Sequence, residues 1–154
     1  GSPRRAAPSS RGRSAMTELA FRLCNAAVIP GWVCLALCPK WRHTRAVVLA
    51  GAGANAITYV AHLAAAERVD GASFLTLEGV RNIFARGGAS VHLVCWLHYL
   101  VFDVLVGLAE VEDAQRSGLP HAVVVPCLGL TLMFGPAGAL AYGIARFLSK
   151  PLAK

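Results

Sequence analysis

The sequence predicts an all-α integral membrane bundle of four transmembrane helices, with a short interfacial helix between the second and third. Three observations carry that expectation. Apolar residues make up 56% of the 154 positions and charged residues only 15%, with a mean hydropathy of +0.54, a membrane-protein composition. Apolar runs of the length needed to cross a hydrocarbon core of about 30 Å recur along the chain. Charged residues gather between those runs and in the tails. The length suits one domain. It divides into a basic N-terminal tail (1–17), a four-helix transmembrane domain (18–149) and a C-terminal tail (150–154).

Residues 1–17 are rich in Arg, Ala, Ser and Pro and hold no acidic residue. That composition fits an organelle transit sequence or its remnant, or a disordered basic tail. The first span, 19–38, begins with Arg22 placed to snorkel and carries Pro30, a bending residue, in its middle. The polar PKWRHTR segment ends it, with Trp41 where interfacial aromatics sit. The second span, 46–66, is rich in Ala and Gly, which favours close helix contacts. Its GAGANA run shares glycines with a dinucleotide fingerprint, but no strand precedes it, so that reading is rejected. Asn55, Tyr59 and His62 fall on one face, suited to interhelical hydrogen bonds.

In FLTLEGVRNIF, residues 74–84, the apolar positions Phe74, Leu77, Val80, Ile83 and Phe84 predict a short amphipathic helix at the interface. The third span, 91–109, is followed by a charged loop. The fourth, 122–145, contains Pro126 and FGPAG, whose Gly135, Pro136 and Gly138 are expected to kink it and admit a close neighbour. Four spans place both termini on one side. That side then collects most of the basic residues, against Lys40, Arg42, Arg45 and Arg116 opposite, which orients the termini toward the cytoplasm-equivalent compartment.

The formal net charge of +7 is explained by this topology and by anionic headgroups of the lipid bilayer. Nucleic acid is not an expected partner. The five cysteines, Cys24, Cys34, Cys38, Cys95 and Cys127, are odd in number, lack a C-x-x-C pair and fall in apolar spans. They read as small buried hydrophobes, and no metal site is expected.

The third span carries the chemistry. His92, Trp96, Tyr99, Asp103, Gly107 and Glu110 share one side at about 100° per residue, whereas His98 lies off that stripe. Ionisable groups in hydrocarbon are costly and usually face a bundle, a cavity or a ligand. In apolar surroundings the charged form of Asp103 is disfavoured, so it can act as a proton donor. A hydrogen bond to Asn55, Tyr59 or His62 across the bundle is the plainer role. His98 can serve as a base, as an axial ligand to a macrocycle's metal, or as a core group. Glu78 suits a site at the membrane surface or a solvated carboxylate. No nucleophile elbow, Walker loop or H-E-x-x-H is present.

Taken together, TLEGVRNIF (76–84), WLHYLVFDVLVG from Trp96, and LPHAVVVPCLGLTLMFGPAGALAYGIAR from Leu119 resemble the abscisic-acid-deficient-four family. These are small integral membrane proteins of plastids and cyanobacteria associated with neoxanthin synthesis. The resemblance covers residues 19–146, and its W-x-H-Y-x-x-F-D core and F-G-P-x-G turn are specific in combination. It puts Glu78, His98 and Asp103 at the family's recurring polar positions. The chain departs from the family at Thr76, usually Ser, and at Leu108 and Ala109, where a basic residue or Trp is expected.

Two functions are expected, the first read from kinked helices with small residues and interleaved aromatics, the second implied by the resemblance. One is a subunit of a photosynthetic assembly, a photosystem or antenna, binding a carotenoid (a xanthophyll), and chlorophyll as a further candidate pigment. Its cofactor-binding candidates are His98, His62, Asn55, Tyr59, Trp96 and Tyr99. The other is an isomerase turning an epoxy-xanthophyll into an allenic one, with Asp103 as acid, His98 as base and Glu78 in reserve. Both imply a plastid, thylakoid or envelope, membrane with the termini in the stroma. Packing of the second span on the third through Asn55, Tyr59, His62 and the Tyr99–Asp103 stripe is expected.

Overall fold

A computed structural model describes residues 10–66 and 69–149. Among them are six helices and no strand: α1 Ser10–Leu37, α2 Thr44–Ala65, α3 Leu77–Arg86, α4 Gly88–Ser117, α5 His121–Phe134 and α6 Pro136–Leu148. Three of these, α1, α2 and α4, are long and apolar enough to cross a membrane. Helix α1 begins at Ser10, inside the stretch assigned to the tail, and passes through Pro30 without ending. The rest of that tail, and residues 150–154, lie outside the described residues.

Helices α1 and α2 form an antiparallel pair closed by a tight loop, in which Thr44 Oγ1 donates to the Cys38 carbonyl at 2.7 Å. Their close approach is written in the sequence. A Cβ on Gly51 would lie 2.6 Å from the Ala27 carbonyl oxygen, so only glycine lets these backbones meet. Helix α3 is capped by Thr76, whose Oγ1 accepts from the Gly79 amide at 3.1 Å, and Glu78 occupies the positive first turn. Helix α4 ends at Gly118, whose φ of 74° is the left-handed cap that glycine supplies.

The 122–145 stretch departs from expectation. It is a helical hairpin rather than one kinked span. Gly135, with φ 40° and ψ −93°, turns the chain back. Gly138 of α6 then packs on Thr131 of α5, where a Cβ would come within 2.1 Å of the Thr131 amide nitrogen. The open ends of the hairpin meet α4 near its C-terminus, where Arg146 Nε donates to Asp113 Oδ2 at 3.0 Å and Tyr142 Oη donates to the same oxygen at 2.6 Å. Its tip reaches back to Asp103. With 14 and 13 residues, each arm is about 20 Å long at 1.5 Å per residue, short of the ~30 Å core.

The described end of α6 therefore lies at the end of the bundle opposite the start of α1. The expected placement of both termini on one side rested on counting 122–145 as a crossing, whereas the helices long and apolar enough to cross are α1, α2 and α4. The core sits where α1, α2, α4 and α5 meet, with Leu35, Val48, Leu97, Val104 and Val124 sealed. Large apolar side chains such as Ile57, Val60 and Phe102 face outward, as suits a surface bathed in lipid.

Candidate functional site

The polar stripe of α4 is assembled by the parallel run of α1 beside it and by the hairpin tip. Asp103 is half-buried and lies against the tip: a Cβ on Gly135 would stand 2.7 Å from Asp103 Oδ1. The same tip starts α6, with Pro136 at its first turn. The carboxyl group is thus set at the positive end of a half-helix inside the bundle. Beside it opens a groove of about 860 Å³ whose walls include Asn25, Trp32, Trp96, Tyr99 and Asp103, floored by Phe134–Pro136.

Each wall residue has a local cause. Trp32 packs against α4 because Gly107 has no side chain; a Cβ there would meet the indole at 2.9 Å. Trp96 Nε1 donates to Asn25 Oδ1 at 3.2 Å, and its ring centroid is 5.9 Å from that of Phe21. A second groove of about 410 Å³ lies on the other side of Trp96, between Ser14, Glu18, Phe84 and His92, and shares Trp96 and Tyr99 with the first.

The structure brings Trp96 and Tyr99 to the Asp103 groove, but not His98, Glu78, Asn55, Tyr59 or His62. His98 is exposed on the α2 side of α4, its ring centroid 4.5 Å from Phe102 and 6.3 Å from Tyr59. Glu78 is exposed at the start of α3. Asn55 is buried, but its Nδ2 donates to the Cys24 carbonyl of α1 at 3.2 Å. Helices α2 and α4 do pack together, yet Asp103 makes no hydrogen bond to Asn55, Tyr59 or His62. The expected contact through the Tyr99–Asp103 stripe is corrected: α2 meets the His98 face, and the stripe turns toward α1 and the hairpin. Half a turn of helix separates the two faces.

Two contributors carry no signal in the sequence alone. Asn25 and Trp32 enter the groove from a helix more than 70 positions away. A buried polar node is also new: Thr131 Oγ1 donates to Glu110 Oε1 at 2.8 Å, with Glu110 only 4% exposed and its Oε2 unpartnered. Its place on the α4 stripe was the only hint. All five cysteines are free, and among the described residues no grouping of three or more His, Cys, Asp or Glu side chains is set to hold a metal.

The arrangement is one carboxyl group on the wall of a mostly apolar groove, flanked by indole and phenol rings. It can hold an elongated apolar molecule and deliver a proton to a weakly basic oxygen on it. Against known proteins, a family model described as ABA4-like: ABA DEFICIENT 4-like matches residues 19–142. No curated protein and no solved structure matches the chain.

Proposed function

This protein belongs to the ABA4-like family, and from that premise we propose that it is a neoxanthin-synthase-like isomerase of plastid membranes, acting on an epoxy-xanthophyll. The observation that carries the proposal is Asp103, held against the hairpin tip on the wall of an apolar groove. The carotenoid is substrate, lying between Trp32, Trp96 and Tyr99, whose flat faces suit a conjugated rod. Asp103 gives its proton to the epoxide oxygen as the carbon–oxygen bond breaks, leaving a hydroxyl group. The neighbouring chain carbon then loses its proton, and that electron pair completes the allene.

Atoms and electrons balance without an oxidant or reductant. With His98 on the other face of α4, the carbon-bound proton passes to the Asp103 carboxylate, which is restored. One residue acts first as acid and then as base. The direct test is a host that accumulates the epoxy-xanthophyll, with allenic product followed by chromatography. Wild type is expected to form it and Asp103→Asn to lose it; full product with the amide sinks the proposal.

A second reading, a pigment-binding subunit of a photosystem or light-harvesting assembly, is favoured by one observation. His98 stands exposed beside Phe102 and Tyr59, where its imidazole is accessible to the magnesium of a chlorophyll held from outside. Purification in mild detergent separates the two: the subunit reading requires copurifying partners and chlorophyll that His98→Ala removes. Isomerase activity of the isolated chain requires neither.

A further inference from the structure

The two grooves are not separate features. Both run along the α1–α4 seam, share Trp96 and Tyr99, and together are lined by α1 from Ser14 to Leu37. At 1.5 Å per residue that stretch of α1 is about 35 Å long, comparable with the ~30 Å thickness of a hydrocarbon core. The groove beyond Trp96 differs in chemistry from the one holding Asp103. It is walled by Ser14, Glu18 and His92, near the end of the bundle where α3 lies. His92 Nδ1 donates to the Gly88 carbonyl at 2.6 Å. In the neutral ring this leaves the lone pair on Nε2, an acceptor for a hydroxyl group.

We propose that the groove beyond Trp96 is a second subsite, which takes the hydroxylated far end of the long substrate whose reactive end lies at Asp103. The proposal rests on the isomerase reading of the Asp103 groove and adds what selects its substrate. From Asp103 to Ala89, which lines the far groove, α4 advances about 21 Å. A rod that stops short of Trp96 fills only the first groove. A full-length rod passes Trp96 and Tyr99 and sets its terminal hydroxyl group among Ser14, Glu18 and His92. Trp96, tied to Asn25, marks the boundary between the part of the ligand that reacts and the part that is recognised.

The test uses the whole chain in mild detergent and three probes: a full-length epoxy-carotenoid with a far-end hydroxyl group, its counterpart lacking that group, and a truncated epoxy-polyene ending before Trp96. Binding is read by quenching of tryptophan fluorescence. Wild type is expected to prefer the full-length hydroxylated probe to the truncated one by tenfold or more. Ala89→Trp, which fills the far groove, is expected to abolish that preference while leaving truncated-probe affinity unchanged. His92→Phe is expected to remove a preference of about fivefold for the hydroxylated over the unhydroxylated probe, the worth of one net hydrogen bond. Retention of both preferences by the two variants overturns the subsite while leaving the Asp103 reading intact. Failure of wild type to bind any of the three overturns both.

Discussion

Asp103 and Gly135, 32 positions apart in the chain, are in such close contact that a Cβ on Gly135 would sit 2.7 Å from the Asp103 Oδ1 atom. Gly135 also has φ 40° and ψ −93°, a backbone conformation outside the regions open to L side chains. Gly135→Ala is therefore expected to displace the carboxyl group and strain the turn together. Product formation in the carotenoid host is expected to fall at least tenfold, with lowered thermal stability in detergent. Unchanged turnover would mean that the tip does not position Asp103.

Asp103→Asn keeps size and much of the polarity but cannot supply the proton. The loss of allenic product is expected to be about 10²-fold or more, with binding of the epoxy-xanthophyll preserved. Parallel loss of binding and turnover would make Asp103 a structural group.

The hairpin makes a topological statement of its own. Tags placed at the two ends of the chain are expected to be cleaved by protease from opposite faces of oriented membrane vesicles. Cleavage of both tags from the same face would require the 122–145 stretch to cross after all.

Within α6, Gly138 and Gly143 form an internal control. Gly138→Ala would force a Cβ to within 2.1 Å of the Thr131 backbone, whereas Gly143 has nothing within 4 Å. The first is expected to destabilise the protein by several kcal/mol through parting of the hairpin arms, in the range of severe packing changes. The second is expected to be neutral or stabilising by up to about 1 kcal/mol, the helix propensity gained. Thermal unfolding in one detergent compares them directly, and equal effects would contradict the packing.

Thr131→Val isolates the buried node. It leaves the Glu110 carboxyl group without its hydrogen bond, and an orphaned buried polar group costs about 1–3 kcal/mol. Paired with Glu110→Leu in a double-mutant cycle, which removes the acceptor, it should give a coupling energy near the ~0.6 kcal/mol average of membrane hydrogen bonds. A coupling of zero would show the contact to be incidental.

Sequence patterns alone determined much of this protein. Hydropathy picked out α1, α2 and α4 as crossing helices, because a backbone in lipid must satisfy its own hydrogen bonds over the full thickness of the core. The amphipathic face of residues 74–84 placed α3, and the 3.6-residue period set His98 apart from the Asp103 stripe. The family was legible in the motifs around Trp96 and Gly135.

The tertiary structure decided the rest. An apolar stretch with a glycine–proline break reads the same whether it crosses or turns back. What distinguishes the two is where its far end finds partners, here Arg146 and Tyr142 on Asp113 and Gly138 on Thr131. The stripe on α4 likewise named Asp103 without naming what faces it. Asn25, Trp32 and Gly135 reach it from distant positions, and only packing of α1, α4 and the α5–α6 hairpin brings them to one groove.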